Sequence, residues 1–220
     1  MDGNVTVNTG AELVLGSAER IADGASLTVD GILNTTGTET VNSLTATGAI
    51  NGAGTVSALT TSLTDATVNA NLGDGDITSN GDTALNGNAG AGTVTVAGGT
   101  LTLDGALTNN AATVNVEAGT LAANGTIAAS GINVNENATL TTGEAERLND
   151  GVALNADGTV SLGGNETIGD LSGSGQVQNN GNDLTVNQTS DQEFSGNNTG
   201  AGGLAKQGEA GLTLAKGSDY

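Results

Sequence analysis

Apolar and polar residues alternate along most of the chain, in short segments that are separated by glycine. Val94-Thr95-Val96 and Leu101-Thr102-Leu103 are two examples. A period of two places successive side chains on opposite faces, which is typical of a β-strand with one buried face. Asn-Gly and Asp-Gly pairs lie between these segments and favour tight turns, because glycine readily adopts positive φ. The pattern predicts an all-β protein.

A repeat with a period of about 20 residues indicates how these strands are arranged. Residues 93–105 match residues 113–125, and Leu107 maps onto Ile127 at the same spacing. Tight turns also favour hairpins, but a hairpin array gives no reason for this recurrence. In a parallel β-helix each strand pairs with its equivalent one coil later. We therefore predict a right-handed parallel β-helix of about 20 residues per coil, with about 11 coils in a single domain over residues 1–220.

A longer repeat relates residues 16–50 to residues 143–177. The two segments align without gaps, and 14 of 35 positions are identical. The shared residues include Ala-Glu-Arg at 18–20 and 145–147, and Glu-Thr at 39–40 and 166–167. Duplication of several coils is typical of a modular stalk, in which length itself is useful.

The composition limits the interior of the protein and its partners. Phe194 and Tyr220 are the only aromatic residues, and Cys, His, Trp and Pro are absent. The core must therefore be thin and filled by small aliphatic side chains. Low hydrophobicity with a net charge of −20 is also the signature of disorder, but the ordered alternation argues against it. With four basic residues, the chain is not expected to bind nucleic acid or anionic membranes. No apolar run is long enough for membrane insertion.

Several groups of residues are candidates for chemistry. Glu19-Arg20 and its repeat Glu146-Arg147 offer arginines that could clamp a carboxylate or a sugar, but we interpret them as turns held by local ion pairs. Asp74-Gly75-Asp76, with Asp65 and Asp82 nearby, offers oxygen ligands for calcium. A single Gly-Asp-Gly-Asp is not the tandem array of calcium-binding β-rolls, so we expect no metal site.

Two further functions are weighed against the residue content. Outward threonines such as Thr93 and Thr113 suggest ice binding, but Asn115 and Ala122 interrupt the columns, and threonine is simply common in strands. Paired carboxylates can hydrolyse glycosides, and β-helices include polysaccharide-degrading enzymes. However, no histidine or cysteine is present to serve as a base or nucleophile. We expect no enzyme and no cofactor, and a carbohydrate-active enzyme fragment remains the alternative.

The segment 194–220 resembles the passenger-associated repeat of type V autotransporters. The pattern is Phe-Ser-Gly, then Gly-x-Gly-Gly-Leu-x-Lys-x-Gly, then Gly-x-Leu-x-Leu and a tyrosine. The matching residues are Phe194, Gly202, Gly203, Leu204, Lys206, Gly208, Gly211, Leu212, Leu214 and Tyr220. The resemblance implies a right-handed β-helical passenger exported through the outer membrane, and a role of these residues in secretion and folding. It gives no catalytic role to Lys206.

These observations together predict a function. We expect a non-enzymatic structural or adhesive stalk segment of an autotransporter passenger, displayed at the surface of a Gram-negative bacterium. Its expected partners are ligands on host or bacterial surfaces, or a second copy of the chain.

Overall fold

The computed structural model describes residues 3–216, which form a β-solenoid. This part of the chain contains strands and no helix. The strands are β1 (Val5–Val7), β2 (Glu12–Leu15), β3 (Ser26–Val29), β4 (Ile32–Thr35), β5 (Thr38–Ala46), β6 (Ala49–Asn51), β7 (Thr55–Thr64), β8 (Thr67–Val68), β9 (Asn71–Leu72), β10 (Asp76–Asn80), β11 (Thr83–Leu85), β12 (Thr93–Val96), β13 (Thr100–Leu103), β14 (Thr113–Val116), β15 (Thr120–Ala123), β16 (Gly131–Val134), β17 (Thr139–Thr142), β18 (Ala153–Ala156), β19 (Thr159–Ser161), β20 (Glu166–Ile168), β21 (Leu171–Ser172), β22 (Gln176–Gln178), β23 (Leu184–Asn187), β24 (Gln192–Phe194), β25 (Asn197–Thr199), β26 (Leu204–Gln207) and β27 (Leu212–Leu214).

Two long parallel sheets run along the solenoid. The first has the order β1-β3-β5-β7-β10-β12-β14-β16-β18-β21, with β9 beside β7. The second has the order β2-β4-β6-β8-β11-β13-β15-β17-β19-β22-β25. Smaller sheets, β20-β23-β26 and β24-β27, lie towards the C-terminal end. Apart from β9 and β10, which both lie in the first sheet, consecutive strands belong to different sheets. Strands of successive coils pair with one another, as a solenoid requires.

The predicted stacking of equivalent residues is confirmed. Val94 pairs with Val114 and Thr93 with Thr113, in parallel register. The fold has about 12 coils, with stacked strands roughly 18 residues apart. The coils differ in length, so the repeat of about 20 residues found in the sequence is one value of a range. The number of residues from Thr61 to its partner Ile77 is smaller, and that from Ile132 to its partner Leu154 is larger. The corners between sheets absorb these differences in length.

Small aliphatic side chains fill most of the interior, as the composition predicts. Alanine, valine, leucine and isoleucine supply almost all of the buried apolar residues, and Phe194 is the largest fully buried side chain. A third column of stacked residues completes the cross-section between the two long sheets. It consists of Glu39, Val56, Leu72, Ala89, Leu107, Ile127 and Leu148.

Stacked glycines allow successive coils to approach each other closely. A Cβ on Gly105 would lie 2.0 Å from the carbonyl oxygen of Gly87 in the preceding coil. A Cβ on Gly125 would lie 1.8 Å from the carbonyl oxygen of Gly105. Neither position has a positive φ, so the glycines are required by close backbone approach and not by an unusual conformation.

Aspartate and asparagine side chains at the corners bond the coils to one another. In each case a side-chain oxygen accepts a hydrogen bond from a backbone N–H of the following coil, at 2.6–3.0 Å. The acceptors are Asp65, Asn71, Asp82, Asn88, Asp157, Asn165, Asp170, Asp183 and Asp191. Hydrogen bonds from Asn155 and Ser174 lower the pKa of Asp157. Many of the acidic residues are therefore part of the scaffold.

Candidate functional site

Each duplicated block places a glutamate inside the solenoid. Glu39 is 0% exposed and Glu166 is 1% exposed. The two residues occupy equivalent positions in the two copies of the long repeat. A carboxylate is rarely fully buried unless it is paired or hydrogen-bonded, so these two positions are the first place to look for chemistry.

Both buried carboxylates accept hydrogen bonds from backbone N–H groups of the preceding coil. The N–H of Arg20 donates to Oε1 and Oε2 of Glu39 at 3.0 and 2.9 Å, and the N–H of Ile21 donates to Oε2 at 3.0 Å. In the second block, Arg147 and Leu148 donate in the same way to Glu166, at 3.0 and 3.1 Å. The two blocks therefore build the same site.

A left-handed residue explains why these N–H groups need a side-chain acceptor. Glu19 has φ of 52° and Glu146 has φ of 53°, so the backbone leaves the strand conformation immediately before the two donors. Backbone polar groups that lose their strand partner inside a protein must be satisfied otherwise. The glutamate of the next coil supplies the acceptor.

The local ion pair predicted for the Glu-Arg turns is present in the second block, where Glu144 and not the adjacent Glu146 is the acidic partner. The guanidinium of Arg147 contacts the carboxylate of Glu144 at 2.5 Å. Glu146 instead accepts a hydrogen bond from the hydroxyl of Thr167 at 3.3 Å. The first block repeats this second contact, because Thr40 donates its hydroxyl to Glu19 at 3.0 Å. In both blocks the glutamate that adopts the left-handed conformation therefore reaches the next coil.

Burial has an electrostatic consequence at the second of these sites. Desolvation raises the pKa of Glu166 above the usual range of a glutamate, and the N–H bonds from Arg147 and Leu148 offset only part of this rise. The negative charge of Glu146 raises the pKa further. A raised pKa is common at catalytic carboxylates, but both oxygens of Glu166 are bonded to backbone inside the core. The arrangement fastens two coils together and offers no access to a substrate.

The residue pattern missed these glutamates, although the signal was present. Glu-Thr at 39–40 and 166–167 belongs to the long repeat, as do the Glu-Arg pairs at 19–20 and 146–147. In both copies a glutamate follows the Glu-Arg turn at the distance of one coil. This recurrence is the sequence signal that could have identified the buried glutamates.

We expect Glu166→Ala to destabilise the protein by about 2 kcal/mol. The substitution leaves two buried N–H groups without an acceptor, at about 1–3 kcal/mol each, and relieves part of the cost of burying a carboxylate. Urea unfolding followed by circular dichroism measures the loss, and hydrogen exchange at Arg147 and Leu148 localises it. Glu136→Ala, at an exposed corner, is the control. Equal stability of the two variants would contradict a fastening role.

The aspartates considered for calcium are not brought together into one site. Asp65 accepts a hydrogen bond from the N–H of Asp82 at 2.9 Å, and Asp82 accepts one from the N–H of Thr100 at 3.0 Å. Asp74 and Asp76 lie on a different corner, where they line a groove. Within residues 3–216, no three or more acidic side chains are grouped so as to hold a metal ion.

The C-terminal repeat residues lie in the last two coils that the structure describes. Phe194 is buried and pairs with Leu214, and Leu204 pairs with Leu184 of the coil before. Lys206 donates its Nζ to the carbonyl oxygen of Gly208 at 2.8 Å, so it closes its own turn. Leu212 pairs with Gln192. Tyr220 lies outside the described residues.

The glycines of this repeat fit against the preceding coil. Gly202 and Gly208 have φ of 117° and 77°, and a Cβ on them would lie 1.9 and 2.3 Å from the carbonyl oxygens of Asn182 and Gln188. Gly203 and Gly211 donate their N–H groups to side chains of the preceding coil, Asp183 and Asp191. The spacing of the repeat therefore matches one coil stacked on another.

Comparisons with known proteins add no assignment. A scan against protein-family models, a search of curated proteins and a search of solved structures each found no match. Within residues 3–216, no helix is long and apolar enough to cross a bilayer.

Proposed function

We propose that this protein is a non-enzymatic stalk segment of an autotransporter passenger, which holds adhesive elements away from the surface of a Gram-negative bacterium. About 12 stacked coils at about 4.8 Å each give a rod of roughly 58 Å. The likeness of residues 194–214 to the passenger-associated repeat supports the export route. In such a structural role, the extended shape of the protein is itself what serves the cell.

The observation that carries the proposal is how the polar side chains are used. Buried Glu39 and Glu166 bond to backbone N–H groups, and corner aspartates and asparagines bond to the next coil. These groups are bonded within the scaffold and are not gathered around a cleft. Polar side chains used in this way stabilise the stacking of coils along the rod, which favours a structural role over a catalytic one.

The small size of the buried side chains also supports export. The interior consists mainly of small aliphatic residues in coils that contact only their neighbours. A solenoid of this kind can fold by adding one coil at a time. Sequential folding suits a chain that crosses a membrane unfolded and folds as it emerges. The absence of cysteine means that no disulfide can form before transit.

Surface display in a Gram-negative host tests the proposal. The full chain is fused between an N-terminal epitope and an outer-membrane translocator barrel, and a fusion that lacks the chain serves as the control. We expect antibody to label the epitope on intact cells, and external protease to release it. An epitope that becomes accessible only after permeabilisation would contradict the proposal, provided that the control is displayed.

A separate assay addresses catalysis. The purified chain is incubated with neutral and acidic polysaccharides, and new reducing ends are measured. We expect none to form. Turnover that is lost when a single carboxylate is neutralised would overturn the non-enzymatic assignment.

A further inference from the structure

One corner of the solenoid leaves a leucine uncovered. Leu59 lies in the middle of β7 and is 71% exposed, more than Val14, Ile32 or Leu214, the other exposed large apolar residues of the described chain. Both Leu59 and Thr60 face outward, where the strand bends from one face to the next. A side chain from the following coil would normally cover such a position.

The following coil cannot supply that cover. Asp76 pairs with Thr60, so Gly75 lies beside Leu59. A Cβ on Gly75 would lie 1.6 Å from the carbonyl oxygen of Ala58, which makes any side chain impossible without moving the backbone. The close approach of these two coils therefore creates a notch, and the notch is a fixed feature of the fold.

The notch is a groove of about 310 Å³ with mixed walls. Leu59 gives it an exposed aliphatic side chain, and the exposed residues Asp74 and Asp76 of the following coil form its rim. Its lining residues are Thr40, Val41, Ser57, Ala58, Leu59, Asp74, Gly75 and Asp76. None of these lining residues is basic. We call this groove the Leu59 notch.

The two rim aspartates differ from the aspartates that hold the scaffold together. Within the described chain, no hydrogen bond or ion pair joins the side chain of Asp74 or Asp76 to another residue. The next coil places Gly90 and Gly92 nearest to them, since a Cβ on Gly90 would lie 2.5 Å from Oδ1 of Asp74. Glycine has no side chain with which to pair. Both carboxylates are therefore available to a ligand.

We propose that the Leu59 notch binds a lysine or arginine side chain from a basic segment of a partner protein. The aliphatic part of such a side chain packs along Leu59, and its charged end reaches Asp74 and Asp76. Lysine and arginine combine a long apolar stem with a cationic end. The notch offers a matching surface for each part, an exposed leucine for the stem and two carboxylates for the charge. An inorganic cation would make no use of the leucine.

Charge identifies the partner as a different protein. Every copy of this chain carries a net charge of −20 and only four basic residues, so two copies repel each other at long range. A basic partner is instead attracted to the acidic rod. This proposal adds the chemical nature of a binding partner to the proposed display role. It rests on the proposed function only in placing the encounter with the partner at the cell surface. Binding in solution and display on cells are measured separately, so either can fail alone.

Fluorescence anisotropy with a defined peptide tests the inference. The probe is a fluorescein-labelled peptide of alternating lysine and leucine, and the full chain is titrated against it at about physiological ionic strength, where distant charges are screened. We expect saturable binding with one site. Asp74→Asn combined with Asp76→Asn is expected to weaken binding roughly tenfold, which corresponds to the loss of two exposed ion pairs. Leu59→Ser is expected to weaken it several-fold.

A matched variant separates the notch from the overall charge. Glu117→Gln combined with Glu136→Gln removes the same two charges from exposed corners several coils away, and it is expected to leave the affinity unchanged. Equal weakening by this control would show non-specific attraction and overturn the proposal. Absence of peptide binding, full binding by Leu59→Ser, or saturable displacement of the peptide by calcium would also overturn it.

Discussion

Alanine at position 105 is expected to destabilise the protein by about 4 kcal/mol, because the added Cβ has no room between two backbones. The Cβ would lie 2.0 Å from the carbonyl oxygen and 2.5 Å from the carbonyl carbon of Gly87. Both atoms belong to a backbone that is held by parallel pairing above and below. The coil can accept the methyl group only by separating from its neighbour, which breaks hydrogen bonds in both long sheets.

Urea unfolding followed by circular dichroism measures this effect. Gly24→Ala is the matched control, because nothing lies within 4 Å of the Cβ that it would add. We expect the control to unfold within about 0.5 kcal/mol of the wild type. If Gly105→Ala unfolds at the same urea concentration as Gly24→Ala, the close stacking of the glycine column is incorrect.

Phe194→Ala is expected to cost about 3–5 kcal/mol, the usual range for truncating a buried phenylalanine. Phe194 is 1% exposed in an interior whose other buried apolar residues are small aliphatic ones. A Cβ on Gly196 would lie 2.6 Å from the ring, so the neighbouring glycine leaves room for it.

The location of the damage is as informative as its size. Coils of a solenoid contact only their neighbours, so hydrogen exchange in Phe194→Ala is expected to accelerate over residues 173–214 and to remain unchanged over residues 26–80. Leu214→Ala, at a side chain that is 41% exposed, serves as the control and is expected to cost about 1 kcal/mol or less. Faster exchange along the whole rod would contradict nearest-neighbour coupling.

The sequence was sufficient to predict the repeating architecture, and the reason is visible in particular residues. Val94 and Val114 had to stack because the same apolar positions recur one coil apart, with a period of two between them. The same reasoning did not give the length of every coil. The short step from Thr61 to Ile77 and the long step from Ile132 to Leu154 depend on how each corner is built, and a corner has no periodic signal.

The candidate sites were less predictable because they depend on contacts between coils. The burial of Glu39 follows from the left-handed conformation of Glu19 in the coil before, and no local pattern reports that conformation. The acidic pair Asp74 and Asp76 is visible in the sequence, but the groove that they line exists because Gly75 lies close to Ala58 of the preceding coil. The exposure of Leu59 is a property of that stacking, so it could be recognised only in three dimensions.

The offset of the long repeat coincides with a whole number of coils. Leu27 and Leu154 are equivalent positions of its two copies and lie in one column, joined through Leu44, Thr61, Ile77, Val94, Val114 and Ile132. Copying or deleting such a block by recombination within the gene would change the reach of the rod by about 34 Å and leave every inward side chain facing inward. An odd number of residues inserted within a strand would turn its inward side chains outward, whereas a corner can absorb extra residues, as the unequal coils show.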